Sequence, residues 1–92
     1  MDSAHRQIVL KRLKSIEGHV RGIERMVEAD EYCIDVLRQT HAVQKALDRV
    51  NTLIMKEHLD SCVTSAMRGS DATKLQQMIS EIVDVFEMSN KV

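Results

Sequence analysis

Ninety-two residues suffice for one domain, taken as residues 1–92, and for no more. With 43% hydrophobic residues, 2% aromatic residues, three glycines and no proline, the composition excludes a compact aromatic core and points to an all-α protein. The net charge of −1 averages a basic first part (six basic residues against two acidic from Arg6 to Arg25) and an acidic last part, so the first element can still meet an anionic partner.

The first helix is expected from about Ala4 to Glu28. Val9, Leu13, Ile16, Val20, Ile23 and Val27 recur at alternating steps of four and three, a continuous apolar stripe. Asp2 or Ser3 can cap its start. Gly18 and Gly22 either admit another helix at close range or simply weaken this one, by about 1 kcal/mol each relative to Ala. In the polar joint Ala29-Asp30-Glu31, Asp30 can cap the next helix. Cys33 then falls in its first turn, where the helix dipole and free amides favour a thiolate.

The second helix has no breaker before Gly69 and is expected to run from Cys33 to Met67. Val36, Val43 and Val50 repeat every seven residues, Leu47 and Ile54 continue the seam, and Ala42, Ala46, Leu53 and Leu59 widen it. Such spacing reads as helix packed along helix. Gly69 closes this helix, and a third begins near Ser70 or Asp71. It carries Leu75, Met78, Ile79, Ile82, Val83 and Phe86 at helical spacing, before a frayed Ser89-Asn90-Lys91-Val92. No apolar run has membrane-spanning length and no signal-peptide pattern is present, so a soluble cytoplasmic protein without a membrane partner is expected.

Helix length sets the assembly. A helix from Cys33 to Met67 is roughly 50 Å long, whereas a compact chain of this size is only about 30 Å across. Its seam needs more than one chain. The expected architecture is a three-helix protomer with a long central helix, paired into an antiparallel four-helix-bundle dimer and assembled to a homotetramer, a dimer of dimers.

The chemistry-bearing residues follow the same logic. His58 and Cys62 lie four apart, on one helical face, close enough to grip one ion. Two cysteines in a cytoplasmic chain argue for metal or redox chemistry rather than a disulfide framework. Cys33 lies about 37 Å from His58 along the helix, so it can join the pair only from a second, antiparallel chain. The two helices would cross near Ala46 and Leu47, where Ala42 and Ala46 permit close contact. Two thiolates and one imidazole suit Cu(I), or Zn(II) with a fourth ligand. His5, His19 and His41 read as surface or satisfied side chains, and the methionines as core. No phosphate loop, nucleophile elbow or carboxylate pair is present, so neither an enzyme nor a small-molecule substrate is expected. A redox link between Cys33 and Cys62 is the alternative chemistry.

The stretch Val9-Leu-Lys-Arg-Leu-Lys-Ser-Ile-Glu-Gly-His-Val-Arg-Gly-Ile23, the pair Tyr32-Cys33, the segment Gln44–Asn51 and His58-Leu-Asp-Ser-Cys62 together resemble the copper-sensing operon repressor (CsoR) family of small helical bacterial repressors. The resemblance implies Cu(I) bound by Cys33 of one subunit and His58 and Cys62 of its neighbour. It implies a hydrogen-bonded network joining the ligand His to Tyr32 and to a carboxylate of the third helix. The family position of that carboxylate falls near Gln77 or Met78, with Glu81 one turn later. It also implies operator DNA as partner, met without a helix-turn-helix by Arg12 and Arg49, with Lys11, Lys14 and Arg21 as supporting charges. A basic face without stacking aromatics suits phosphate contacts and shape readout. Arg25 and Arg38 read as solvated helix face.

Related branches of the family answer to persulfide, to nickel or cobalt, or to formaldehyde, and differ at these ligand positions. The sequence thus predicts a repressor released from DNA by Cu(I). A persulfide- or other metal-responsive repressor, and a copper-binding bundle without DNA function, are the alternatives.

Overall fold

The computed structural model describes residues 1–63, 68–69 and 72–89, and among them all regular structure is helical. Helix α1 spans Ser3–Glu28, α2 spans Cys33–Glu57, a π-helical segment follows over His58–Val63, and α3 spans Ala72–Ser89. Residues Met1–Lys56 form one compact unit and Glu57–Val92 a second. Among the described residues no helix is long and apolar enough to cross a membrane.

Helix α1 begins where its capping chemistry dictates. Asp2 is extended (φ −72°, ψ 165°), and its Oδ1 accepts the His5 amide at 2.9 Å while its carbonyl accepts that of Arg6. The carboxylate thereby satisfies one otherwise orphaned donor of the first turn, and the carbonyl opens the intrahelical ladder.

The joint departs from expectation. Asp30 does not cap α2; it ends α1. Its φ of 53° lies in the left-handed region, with its amide donating to the Val27 carbonyl and that of Glu31 to Met26. These are the paired 5→2 and 6→1 bonds of a Schellman ending, a position where Gly or Asn is commonest and Asp is tolerated. The start of α2 falls to Tyr32, whose carbonyl accepts the amides of Asp35 and Val36.

The second departure is at the far end of α2. The α-helix stops at Glu57 and the chain continues as a π-helix from His58 to Val63. Widened turns of this kind are rare and concentrate at functional sites. Residues 64–67 of the expected helix, Ser70 and Asp71 at the expected start of the third, and the tail from Asn90 lie outside the described residues, and Gly69 stands at a bend.

Within the first unit, α1 and α2 are joined by four residues and tied by a 2.7 Å hydrogen bond from His19 Nε2–H to Gln39 Oε1. That contact sets an antiparallel register in which Val9 is level with the Val50 region. Val9, Val43 and Val50 are the buried apolar side chains, at 6%, 9% and 4% exposure. The heptad expected through Val43 and Val50 is therefore the face that α2 buries. Much else stays open: Val27, Leu37, Leu47 and Ile54 are exposed, as are Ile79, Val83 and Phe86 of α3. A Cβ built on Gly18 meets nothing within 4 Å, so α2 does not use that glycine for close approach to α1.

Asp30→Val should destabilise the fold by about 1–2 kcal/mol, because a β-branched side chain resists φ above zero, whereas Asp30→Gly should be tolerated. Gly18→Ala should add up to about 1 kcal/mol. Urea midpoints measure both, and a loss in Gly18→Ala would mean that a second chain packs its backbone there.

Candidate functional site

Cys33 is the first residue of α2 and is exposed. His58 is half-buried and follows the last α-helical residue. A 25-residue α-helix between them is about 37 Å long, so no ion reaches both within one chain. Among the described residues of one protomer, no three His, Cys, Asp or Glu side chains converge as a metal site requires. The Cys62 side chain lies outside the described residues, but its backbone belongs to the π-helix. With about 4.4 residues per turn, a step of four still returns positions 58 and 62 to one side of the segment. The widened turn therefore keeps the pairing that an α-helix would give.

Tyr32 directly precedes Cys33 and is 67% exposed. Glu81 lies exposed on α3, where its Oε1 accepts a 3.3 Å hydrogen bond from Gln77 Nε2. Gln77, near which the resemblance places a carboxylate (there or at Met78), thus points its amide at the carboxylate one turn on.

The five basic residues singled out in the sequence are all exposed, and helical geometry divides them. Arg12 precedes His19 by seven residues, so it shares the α1 flank that carries the bond to Gln39. In the antiparallel register Arg49 lies within about one turn of Arg12 along the hairpin. Lys11, Lys14 and Arg21 point to a different side of α1. Arg21 is also within 3.8 Å of Glu17 there, and it borders an open apolar groove lined by Leu13, Ile16 and Val20.

A family model described as metal-sensitive transcriptional repressor matches residues 5–88. The chain belongs to that family. Among its relatives, the copper-sensing transcriptional repressor CsoR of Bacillus subtilis (strain 168) is 43% identical over 89 residues, covering 97% of this chain and 85% of that one. The crystal structure of the copper-sensing repressor CsoR with Cu(I) from Geobacillus thermodenitrificans NG80-2 superposes with a TM-score of 0.87 at 37% identity, covering 99% of this chain and 92% of that one. The nickel-responsive transcriptional regulator InrS is also similar, with a TM-score of 0.71 at 36% identity and 89% of each chain covered. The family membership makes a metal-sensitive transcriptional repressor the coarse identity of this chain.

Sequence reasoning missed the π-helix, which no Gly or Pro announces, and the His19–Gln39 tie, which joins residues twenty apart. It also missed that one face runs from Cys33 at the start of α2 to His58 just past its end: Cys33, Leu37, Thr40, Gln44, Leu47, Asn51, Ile54 and His58 alternate in steps of four and three. That signal was available from spacing alone.

If the His19–Gln39 bond fixes the α1 flank, a double-mutant cycle of His19→Ala and Gln39→Ala should show a coupling of about 0.5–1 kcal/mol in urea unfolding. Fully additive losses would mean that the bond does not hold the hairpin.

Proposed function

We propose that this protein is a Cu(I)-responsive transcriptional repressor, one metal-sensing and DNA-binding domain that holds its operator when metal-free and leaves it when Cu(I) is bound. The observation that carries the reading is the placement of Cys33 at the start of α2 and of His58 directly after its end, on one helical face. Twenty-five residues at about 100° each come within about 20° of whole turns, so the face that starts at Cys33 returns at His58. In an antiparallel pair the register that sets Cys33 against His58 of the second copy also sets Leu37 against Ile54, Thr40 against Asn51 and Gln44 against Leu47. Leu37, Leu47 and Ile54 are 60%, 41% and 38% exposed in the protomer, which leaves apolar surface for that contact. Exposed Ile79, Val83 and Phe86 on α3 offer a second apolar stripe for pairing dimers into a tetramer.

The donor set fits the ion. Two thiolates and an imidazole are soft, low-coordinate ligands of the kind Cu(I) accepts. Bound there, Cu(I) supplies a soft cross-link between two subunits. The chain's part is to hold Cys33 at the rigid start of α2 and His58 and Cys62 on the π-helix, with Tyr32 and Glu81 as candidate hydrogen-bonding supports. Copper-sensing relatives and the likeness to a Cu(I)-bearing CsoR support this reading over the nickel-responsive neighbour, whose superposition is poorer.

Arg12 and Arg49 are the proposed operator contacts, with Lys11, Lys14 and Arg21 supplying further charge. Release follows from linkage: if Cu(I) favours the weak-binding arrangement, DNA lowers Cu(I) affinity by the same factor. Useful switching requires several kcal/mol of such coupling.

Anaerobic Cu(I) titration with a simultaneous DNA-binding readout tests the proposal. Cys33→Ala should fail to take up Cu(I) and remain on its promoter duplex in copper; copper-driven release by that variant would overturn the site. Arg49→Ala should bind the duplex weakly while taking up Cu(I) normally. Release by nickel or by persulfide, but not by Cu(I), would transfer the inducer to those chemistries.

A further inference from the structure

On α2 a second periodic set stands apart from the ligand face. Lys45, Arg49 and Lys56 are separated by steps of four and seven, so they lie within about 40° of one direction. All three are exposed, and among the described residues none has a carboxylate partner. Arg38 falls on the same line but its Nη1 is 3.9 Å from Asp35 Oδ1.

A solvated helix face usually interleaves opposite charges at steps of three and four. Here Asp48 lies three residues from Lys45 and Asp60 four from Lys56, yet among the described residues neither carboxylate is ion-paired with the row. The three cations are therefore free to meet an anionic partner, in a chain whose net charge is −1. The row also stays clear of the other surfaces. The face from Cys33 to Ile54 lies about 150° round the helix, and the buried Val43 and Val50 about 130° round it. Closing the antiparallel seam and packing α1 both leave the row exposed. No aromatic side chain accompanies it, since Tyr32 and Phe86 are the only aromatics of the chain. Stacking on unpaired bases is thus not offered, and phosphate contact on a duplex is the chemistry that remains.

We propose that Lys45 and Lys56 are phosphate-contacting residues, extending the reach of Arg49 along the free face of α2 over about 17 Å of duplex. This rests on the DNA-binding reading above and enlarges its contact surface by a row that the metal face does not share. Because such contacts are electrostatic, they set affinity and salt dependence without reading sequence.

The test is fluorescence anisotropy of metal-free protein on the promoter duplex upstream of its own coding sequence and on a scrambled duplex of equal length, across a salt series. Lys45→Ala and Lys56→Ala should each flatten the slope of log K against log salt by about 0.9, on both duplexes alike. Lys45→Arg and Lys56→Arg should keep the slope, and Cu(I) uptake should not change. An unchanged slope in the Lys45→Ala/Lys56→Ala double variant, alongside weakened binding by Arg49→Ala, would overturn this inference and leave the repressor reading standing. Absence of duplex binding by the unaltered protein would overturn the repressor reading and this inference with it.

Discussion

Everything in this protein is arranged around the stiffness and length of α2. Twenty-five α-helical residues hold Cys33 about 37 Å from the His58 end, and no side chain spans that distance. The proposed soft-metal site of Cys33, His58 and Cys62 therefore needs a second, antiparallel chain. The same rod divides its surface by angle. One direction buries Val43 and Val50, a second runs through Cys33, Leu37, Leu47 and Ile54, and a third carries Lys45, Arg49 and Lys56. Packing and the proposed metal and DNA contacts can thus occupy one helix without competing for its surface.

The ends of the rod are built by different means. At the start, α1 is stopped by Asp30 in a left-handed conformation, and the chain re-enters helix with Tyr32 accepting the first amides. Cys33 is placed by this tight joint rather than by a side-chain cap. At the other end the helix widens instead of stopping, so that His58 and Cys62 share a π-helical segment. Such a segment trades ideal hydrogen bonding for a local change of pitch, and these changes recur where function needs a displaced side chain. The His19–Gln39 bond then couples α1, with Arg12 on the same flank, to the rod.

Much of this was legible in the residues. The three helices, the α1 start at Asp2 and the buried heptad through Val43 and Val50 follow from apolar period and capping chemistry, and the family follows from motifs spread over the chain. The joint was misread because Asp serves equally at a helix start and in the left-handed region, and only backbone geometry separates the two. The π-helix was invisible because His58-Leu59-Asp60-Ser61-Cys62-Val63 contains no breaker, and six residues of altered pitch leave little trace in apolar spacing. The basic residues were grouped by sequence neighbourhood, which placed Lys14 with Arg12, although helical angle separates them and aligns Lys45 with Arg49.

The central claim is that each metal site is completed only by two subunits. Mixed oligomers test it directly: Cys33→Ala subunits are assembled with His58→Ala/Cys62→Ala subunits, and Cu(I) stoichiometry is measured anaerobically. An intersubunit site predicts that each variant alone binds no Cu(I), while mixed dimers recover one of their two sites, composed of the intact Cys33 of one chain and the intact His58 and Cys62 of the other. Mixed dimers that bind no Cu(I), or Cys33→Ala homodimers that bind it fully, would contradict the account.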